Sequence, residues 1–198
     1  MNVIYLHGFN SSPYSIKGQQ LKHYADERDD LVVHLPDLNM PPLDAVEKVA
    51  QLIQDLEQAA LIGSSLGGFY ATQLVAKYGV PAVLINPAMR PWQLFRTLFA
   101  EAQLPYQVTA QWSLDHAQLD QLEHMAVPSV QYADSLLVLL QQGDEVLDYR
   151  EAELYYSAGQ HQSLIMTEMH GNHAMENFAD KIPMVLQFLS DCIKLRKH

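Results

Sequence analysis

Two kinds of apolar spacing alternate along this chain. Short, nearly uninterrupted runs such as Val3-Ile4-Tyr5-Leu6, Leu31-Val32-Val33, Ala82-Val83-Leu84-Ile85 and Leu136-Leu137-Val138-Leu139-Leu140 are separated by stretches where apolar residues recur every three or four positions. The first spacing suits strands buried on both faces, and the second suits helices laid against them. The runs predict strands over Asn2 to Leu6, Leu31 to Leu35, the stretch from Ala59, Ala82 to Pro87, Ser135 to Gln141 and Ser163 to Thr167. Helices are expected over about Ser15 to Ala25, Phe69 to Tyr78, Tyr149 to Ser157 and Asp180 to Leu195. A further helix is expected to start at Asp44 as N-cap, with Glu47 closing a capping box and Val46, Val49, Leu52, Ile53 and Leu56 facing inward. Strands alternating with crossover helices predict a doubly wound, mostly parallel six-stranded α/β sheet.

One segment breaks the alternation. Between Pro87 and Ser135 no strand is evident, and helical pieces are expected. Trp92, Phe95 and Phe99 fall at i, i+3 and i+7, one face of a helix. That face either packs on the core or forms the underside of a cap over a substrate pocket. The chain therefore reads as one domain, residues 1–198, with a small helical cap insertion at about 88–134.

Composition narrows the classes. Hydrophobic residues make up 48% and charged residues 18%, with no apolar run as long as a membrane span. The opening residues carry no basic, apolar leader pattern, and the single Cys192 fits a reducing compartment, so a cytoplasmic location is expected. Cys192 lies in an apolar helical run and reads as core filler. A net charge of −11 argues against nucleic acid or an anionic membrane as partner.

The chemistry concentrates at Gly63-Ser64-Ser65-Leu66-Gly67-Gly68, which joins a predicted strand directly to a predicted helix. A serine on so sharp a turn brings the residues two before and two after it together, so both must lack side chains. Ser65, flanked at that distance by Gly63 and Gly67, fits. Ser64, flanked by Ile62 and Leu66, does not. A serine nucleophile needs a base and an acid, which in this context follow in the order acid, then histidine, after later strands. Asp144 ends the strand before Gly143-Asp144-Glu145 and is the candidate acid. Asp148 is an alternative that also reads as a helix N-cap, and Glu145 reads as solvated. After the last strand, Met169-His170-Gly171-Asn172-His173 offers His173 as candidate base and His170 as alternative, while the other histidines read as structural or exposed. The candidate oxyanion donors are the backbone N–H groups of Leu66 and of Phe9, or else Asn10, in the loop after the first strand. No histidine pair has metal-ligand spacing, so neither metal nor cofactor is expected.

With these residues in hand the chain resembles an α/β-hydrolase. The segments Tyr5-Leu6-His7-Gly8-Phe9-Asn10-Ser11-Ser12-Pro13, Gly63 to Gly68, Gln142-Gly143-Asp144-Glu145 and Gly171-Asn172-His173 are similar to those of the small bacterial YqiA-type esterase family. The resemblance implies an esterase acting on small-molecule carboxylic esters or acyl thioesters, with Ser65 as nucleophile, His173 as base and Asp144 as acid. An acyltransferase using the same residues, or a silent hydrolase fold used for binding, are the alternatives.

Overall fold

The apolar runs pair side by side. In chain order the elements are β1 (Asn2–Leu6), α1 (Ile16–Asp26), β2 (Val32–His34), α2 (Pro42–Asp55), β3 (Ala59–Ser64), α3 (Leu66–Tyr78), β4 (Ala82–Ile85), α4 (Pro91–Phe99), β5 (Tyr106–Gln107), β6 (Ser113–Leu114), α5 (His116–Met125), β7 (Leu136–Gln141), α6 (Tyr149–Ser157), β8 (Leu164–Glu168) and α7 (Phe178–Leu195). This computed structural model describes residues 1–99, 103–158 and 161–196.

Six strands form one sheet in the order β2-β1-β3-β4-β7-β8, every neighbour parallel. Alternate residues of the central strands feed two cores. Ile4, Leu6, Leu61, Leu84, Val138 and Leu140 face α2 through α6, and Val3, Tyr5, Ile62, Val83, Leu137 and Leu139 face α1 and α7. With both faces covered, no position on these strands could be polar at low cost, which is why their sequences are continuously apolar.

Two expectations are corrected. Asp44 is not the N-cap of α2: the helix begins at Pro42 with Pro41 as cap residue, and no side-chain cap bond forms. Pro42 lacks an N–H that the first turn would leave unpaired anyway, and its fixed φ suits the helix start, so the prolines open the helix three residues early. Asp44 remains in the first turn, favourably placed against the helix dipole. The segment after β4 also contains strand pairing, since β5 and β6 form an antiparallel ribbon. Two residues per strand are too few to leave a periodic signal.

The segment joining β4 to β7 lies over the same side of the sheet as α2 and α3. Phe9, from the loop after β1, sits at its centre, with ring centroids 4.5 Å from Phe95, 5.9 Å from Phe99, 6.1 Å from Tyr106 and 6.5 Å from Trp112. This aromatic cluster ties α4 and the ribbon to the loop at the end of β1.

Candidate active site

Because all six strands run parallel, their C-terminal ends lie along one edge, and the chain runs from β1 to β2 on one side, then back across β1 to β3 on the other. That reversal opens a crevice between the loops after β1 and β3, where open α/β sheets bind ligands. Ser65 stands there.

Ser65 is the lone residue between β3 and α3, with φ 54° and ψ −118°. A non-glycine residue in that region carries about 1–3 kcal/mol of backbone strain and needs its surroundings to hold it. They do: Ser65 N–H donates to the Ile85 carbonyl at 3.0 Å, and its own carbonyl accepts from Gly68, Phe69 and Ala88 at 2.9, 3.1 and 3.1 Å. A methyl group on Gly63 would lie 2.7 Å from the Gly67 carbonyl carbon, so the turn closes only with glycine there.

His173 follows β8 and Asp144 follows β7. His173 Nδ1 is 2.8 Å from Asp144 Oδ2, and its Nε2 is 3.0 Å from Ser65 Oγ. An ionised carboxylate only accepts, so Nδ1–H donates to Asp144, leaving Nε2 with a lone pair to accept from the Ser65 hydroxyl. Asp144 is held from its other oxygen, which accepts from the N–H groups of Val146 and Leu147 at 2.8 and 2.9 Å. Its side chain is 2% exposed and that of His173 21%.

The alternatives are elsewhere. Asp148 caps α6 through the Arg150 N–H and pairs with the Arg150 guanidinium, which holds its carboxyl below the usual range. His170 is exposed in the loop after β8. Glu145 has a partner that the sequence did not signal: its carboxylate accepts from the His173 backbone N–H at 3.0 Å, and that bond lowers its pKa.

Further polar side chains fix the histidine loop. Buried Asn86, at the end of β4, donates from Nδ2 to the carbonyls of Asn172 and His173, both at 3.2 Å, while its Oδ1 accepts from Gln141 N–H at 3.0 Å. Gln141 in turn accepts from Asn172 N–H at 2.7 Å and donates to Glu168 and Asn177 at 2.8 and 2.9 Å. Lys181 completes the set by donating to Glu168, and this bond more than any other holds the Glu168 carboxyl down at about 2. Gly171 adopts φ +93°, and any side chain there would strike the Gln141 amide.

On the other flank a methyl on Gly8 would be 3.2 Å from Ser65 Cβ, so the backbone before Phe9 lies against the serine. Leu66 is the first residue of α3, where an N–H has no intrahelical acceptor. Asn10 follows with φ 54°. His7 is buried as a neutral ring: Nδ1–H donates to the Gly8 carbonyl, Nε2 accepts from Leu38 N–H, and burial lowers its pKa.

Ser65 and His173 open into a cavity of about 540 Å³ whose wall includes Phe9, Tyr5, Lys17 and Gln20. A second cavity of about 560 Å³ lies beyond α3, between α4 and α6. Trp92 borders that second space and packs on Phe69, whereas Phe95 and Phe99 stand behind Phe9. Among the described residues no cluster of three or more His, Cys, Asp or Glu is arranged to hold a metal, and no helix is long and apolar enough to cross a membrane.

The parallel sheet, the strand–serine–helix turn and the crevice at the chain reversal make this an α/β-hydrolase fold, and solved structures agree. The chain superposes on a putative hydrolase from Agrobacterium vitis S4 with a TM-score of 0.75 and 16% identity, covering 95% of this chain and 87% of that one. For the alpha/beta hydrolase domain-containing protein 10 from mouse the figures are 0.70, 14%, 98% and 89%. For Est1E from Butyrivibrio proteoclasticus with ferulic acid bound they are 0.69, 13%, 96% and 88%. Within that fold, residues 2–190 match the family described as Uncharacterised protein family UPF0227, the YqiA family, and the chain belongs to it.

Proposed function

We propose that the protein is a serine hydrolase that cleaves carboxylic esters or thioesters through an acyl-enzyme. The observation that carries this reading is the continuous hydrogen-bonded line from Asp144 through His173 to Ser65, set on a strained turn beside a cavity. The fold is shared with proteins described as hydrolases and esterases, which supports the same class of chemistry.

In this mechanism His173 Nε2 takes the Ser65 hydroxyl proton as Oγ bonds to the acyl carbon. Asp144 keeps the ring in the required tautomer and stabilises the imidazolium. The N–H groups of Phe9 and Leu66 receive the developing oxyanion, each donor contributing about 3 kcal/mol to the transition state. The bond to the leaving oxygen or sulfur then breaks as Nε2–H protonates it. Water, deprotonated by His173, attacks the acyl-enzyme, and the released Ser65 Oγ recovers the proton.

Residues 88–134 act as a cap on the single domain. Its Phe95 and Phe99 shape the substrate side by backing Phe9, and Trp92 anchors α4 to α3. The test is hydrolysis of a short-chain aryl ester by the wild type and by Ser65→Ala. Turnover that survives at the wild-type rate in a folded Ser65→Ala protein overturns the reading.

A further inference from the structure

Part of the wall of the Ser65 cavity comes from α1, and it carries a cation. Lys17 lines the same space as Ser65 and His173. Its Nζ donates to the carbonyl of Ala174, the residue after His173, which uses one of three ammonium N–H groups. Among the described residues no carboxylate oxygen lies within 4.0 Å of Lys17 Nζ. Glu176 borders the cavity too, but it is exposed and its carboxylate accepts from Asn172 Nδ2 at 3.0 Å. Burial of Lys17 lowers its pKa, with no neighbouring charge offsetting it. In a chain of net charge −11, a partly buried ammonium with no carboxylate partner, lining the same cavity as Ser65 and His173, is conspicuous. An ammonium partly withdrawn from water and paired only with a carbonyl gains from an incoming anion, whose charge-assisted bond offsets the lost hydration.

We infer that Lys17 recognises an anionic oxo group, carboxylate or phosphate, on the leaving-group half of the substrate. This deepens the serine-hydrolase reading and rests on it. The half is set by proton transfer: His173 must protonate the leaving atom, so the leaving group lies on the histidine side of Ser65. Lys17 is tied to the backbone on that side through the Ala174 carbonyl and lines the cavity there, with two ammonium N–H groups beyond that bond. Gln20, whose Oε1 is buried without a partner, stands on the same wall and supplies an acceptor for a hydroxyl of the same group.

The test compares three butanoyl esters differing only in the alcohol: ethanol, glycolate and hydroxyethyl phosphate. Each is assayed with wild type, Lys17→Met and Lys17→Arg, and fluorophosphonate labelling of Ser65 is followed in parallel. The wild type is expected to favour an anionic ester over the ethyl ester by about tenfold or more in kcat/KM, as suits one charge-assisted hydrogen bond. Lys17→Met is expected to abolish that ratio and Lys17→Arg to retain most of it. Which of the two anionic esters leads identifies carboxylate or phosphate. Because Lys17 also tethers Ala174, the ratio between substrates is the readout: loss of the tether alone lowers all three rates together. A wild type without anionic preference, or a ratio unchanged by Lys17→Met, overturns the inference while Ser65-dependent hydrolysis and labelling leave the hydrolase reading standing. Absence of both turnover and labelling overturns the hydrolase reading and this inference with it.

Discussion

Asn86 and His173 are joined through the backbone: the Asn86 Nδ2 donates to the His173 carbonyl at 3.2 Å, and to that of Asn172 at the same distance. One buried amide at the end of β4 thus holds the loop that carries the candidate base. Its oxygen also serves the N–H of Gln141, the last residue of β7. The ends of β4 and β7 and the loop after β8 are locked by one side chain, which does not line the Ser65 cavity.

Asn86→Asp separates these tasks, because the carboxylate keeps the acceptor for Gln141 but faces two carbonyls with no donor. Stability is expected to fall by about 1–3 kcal/mol, measured by urea unfolding. Turnover is expected to fall about 10- to 100-fold through displacement of His173, with kcat more affected than KM.

Asp144→Asn tests the orientation of the ring. An amide oxygen can still accept from Val146 and Leu147, so folding should survive, but the group facing His173 Nδ1 becomes a donor or a weaker acceptor. The expected result is a loss of about 10³- to 10⁴-fold in kcat with an unchanged unfolding temperature, since a wrong tautomer removes the base and leaves the rest of the site.

Glu168 gives a pH signature. Hydrogen bonds from Lys181 first, then Gln141 and Asn177, lower its carboxyl from 4.5 to about 2. A carboxyl depressed on folding contributes stability that is whole above its unfolded pKa and disappears as pH falls through the folded one. The stability gap between wild type and Glu168→Gln should therefore be constant above pH 4.5 and close between 4.5 and about 2, as read by denaturant unfolding across that range.

Phe95 links the segment after β4 to the loop after β1. It is 3% exposed and its ring centroid is 4.5 Å from that of Phe9. Phe95→Ala is expected to cost about 3–5 kcal/mol of stability. It should also lower kcat, because the loop that carries Phe9, the proposed oxyanion donor, loses its packing; chemical unfolding and steady-state kinetics together check both.

The sheet was legible because strands covered on both faces must be apolar throughout, as Leu136 to Leu140 are. The turn at Ser65 was legible because its geometry excludes side chains at Gly63 and Gly67, a local constraint written in adjacent residues. Asp144 and His173 were singled out by chain order, and His173 lies within hydrogen-bonding reach of both Asp144 and Ser65. The parts that escaped depend on distant partners. Asn86 is separated by 86 and 87 residues from the carbonyls it holds, and Gln141 by 31 from Asn172, so no local pattern announced either. Glu145 looked solvated because its acceptor role exists only once the loop after β8 folds against it. The start of α2 was misplaced because Asp44 and Glu47 offer a local capping pattern, whereas Pro42, favourable at a first helical position, opens the helix. Lys17 carried no motif, and its standing comes from the cavity it faces.

The most direct test of the central claim is fluorophosphonate labelling of the purified protein followed by peptide mass mapping. It needs no knowledge of the substrate, since the reagent reports an activated serine beside oxyanion donors. The account requires a single adduct on Ser65, absent in Ser65→Ala and formed much more slowly in Asp144→Asn. A folded wild-type protein that forms no adduct, or forms it on another residue, would contradict it.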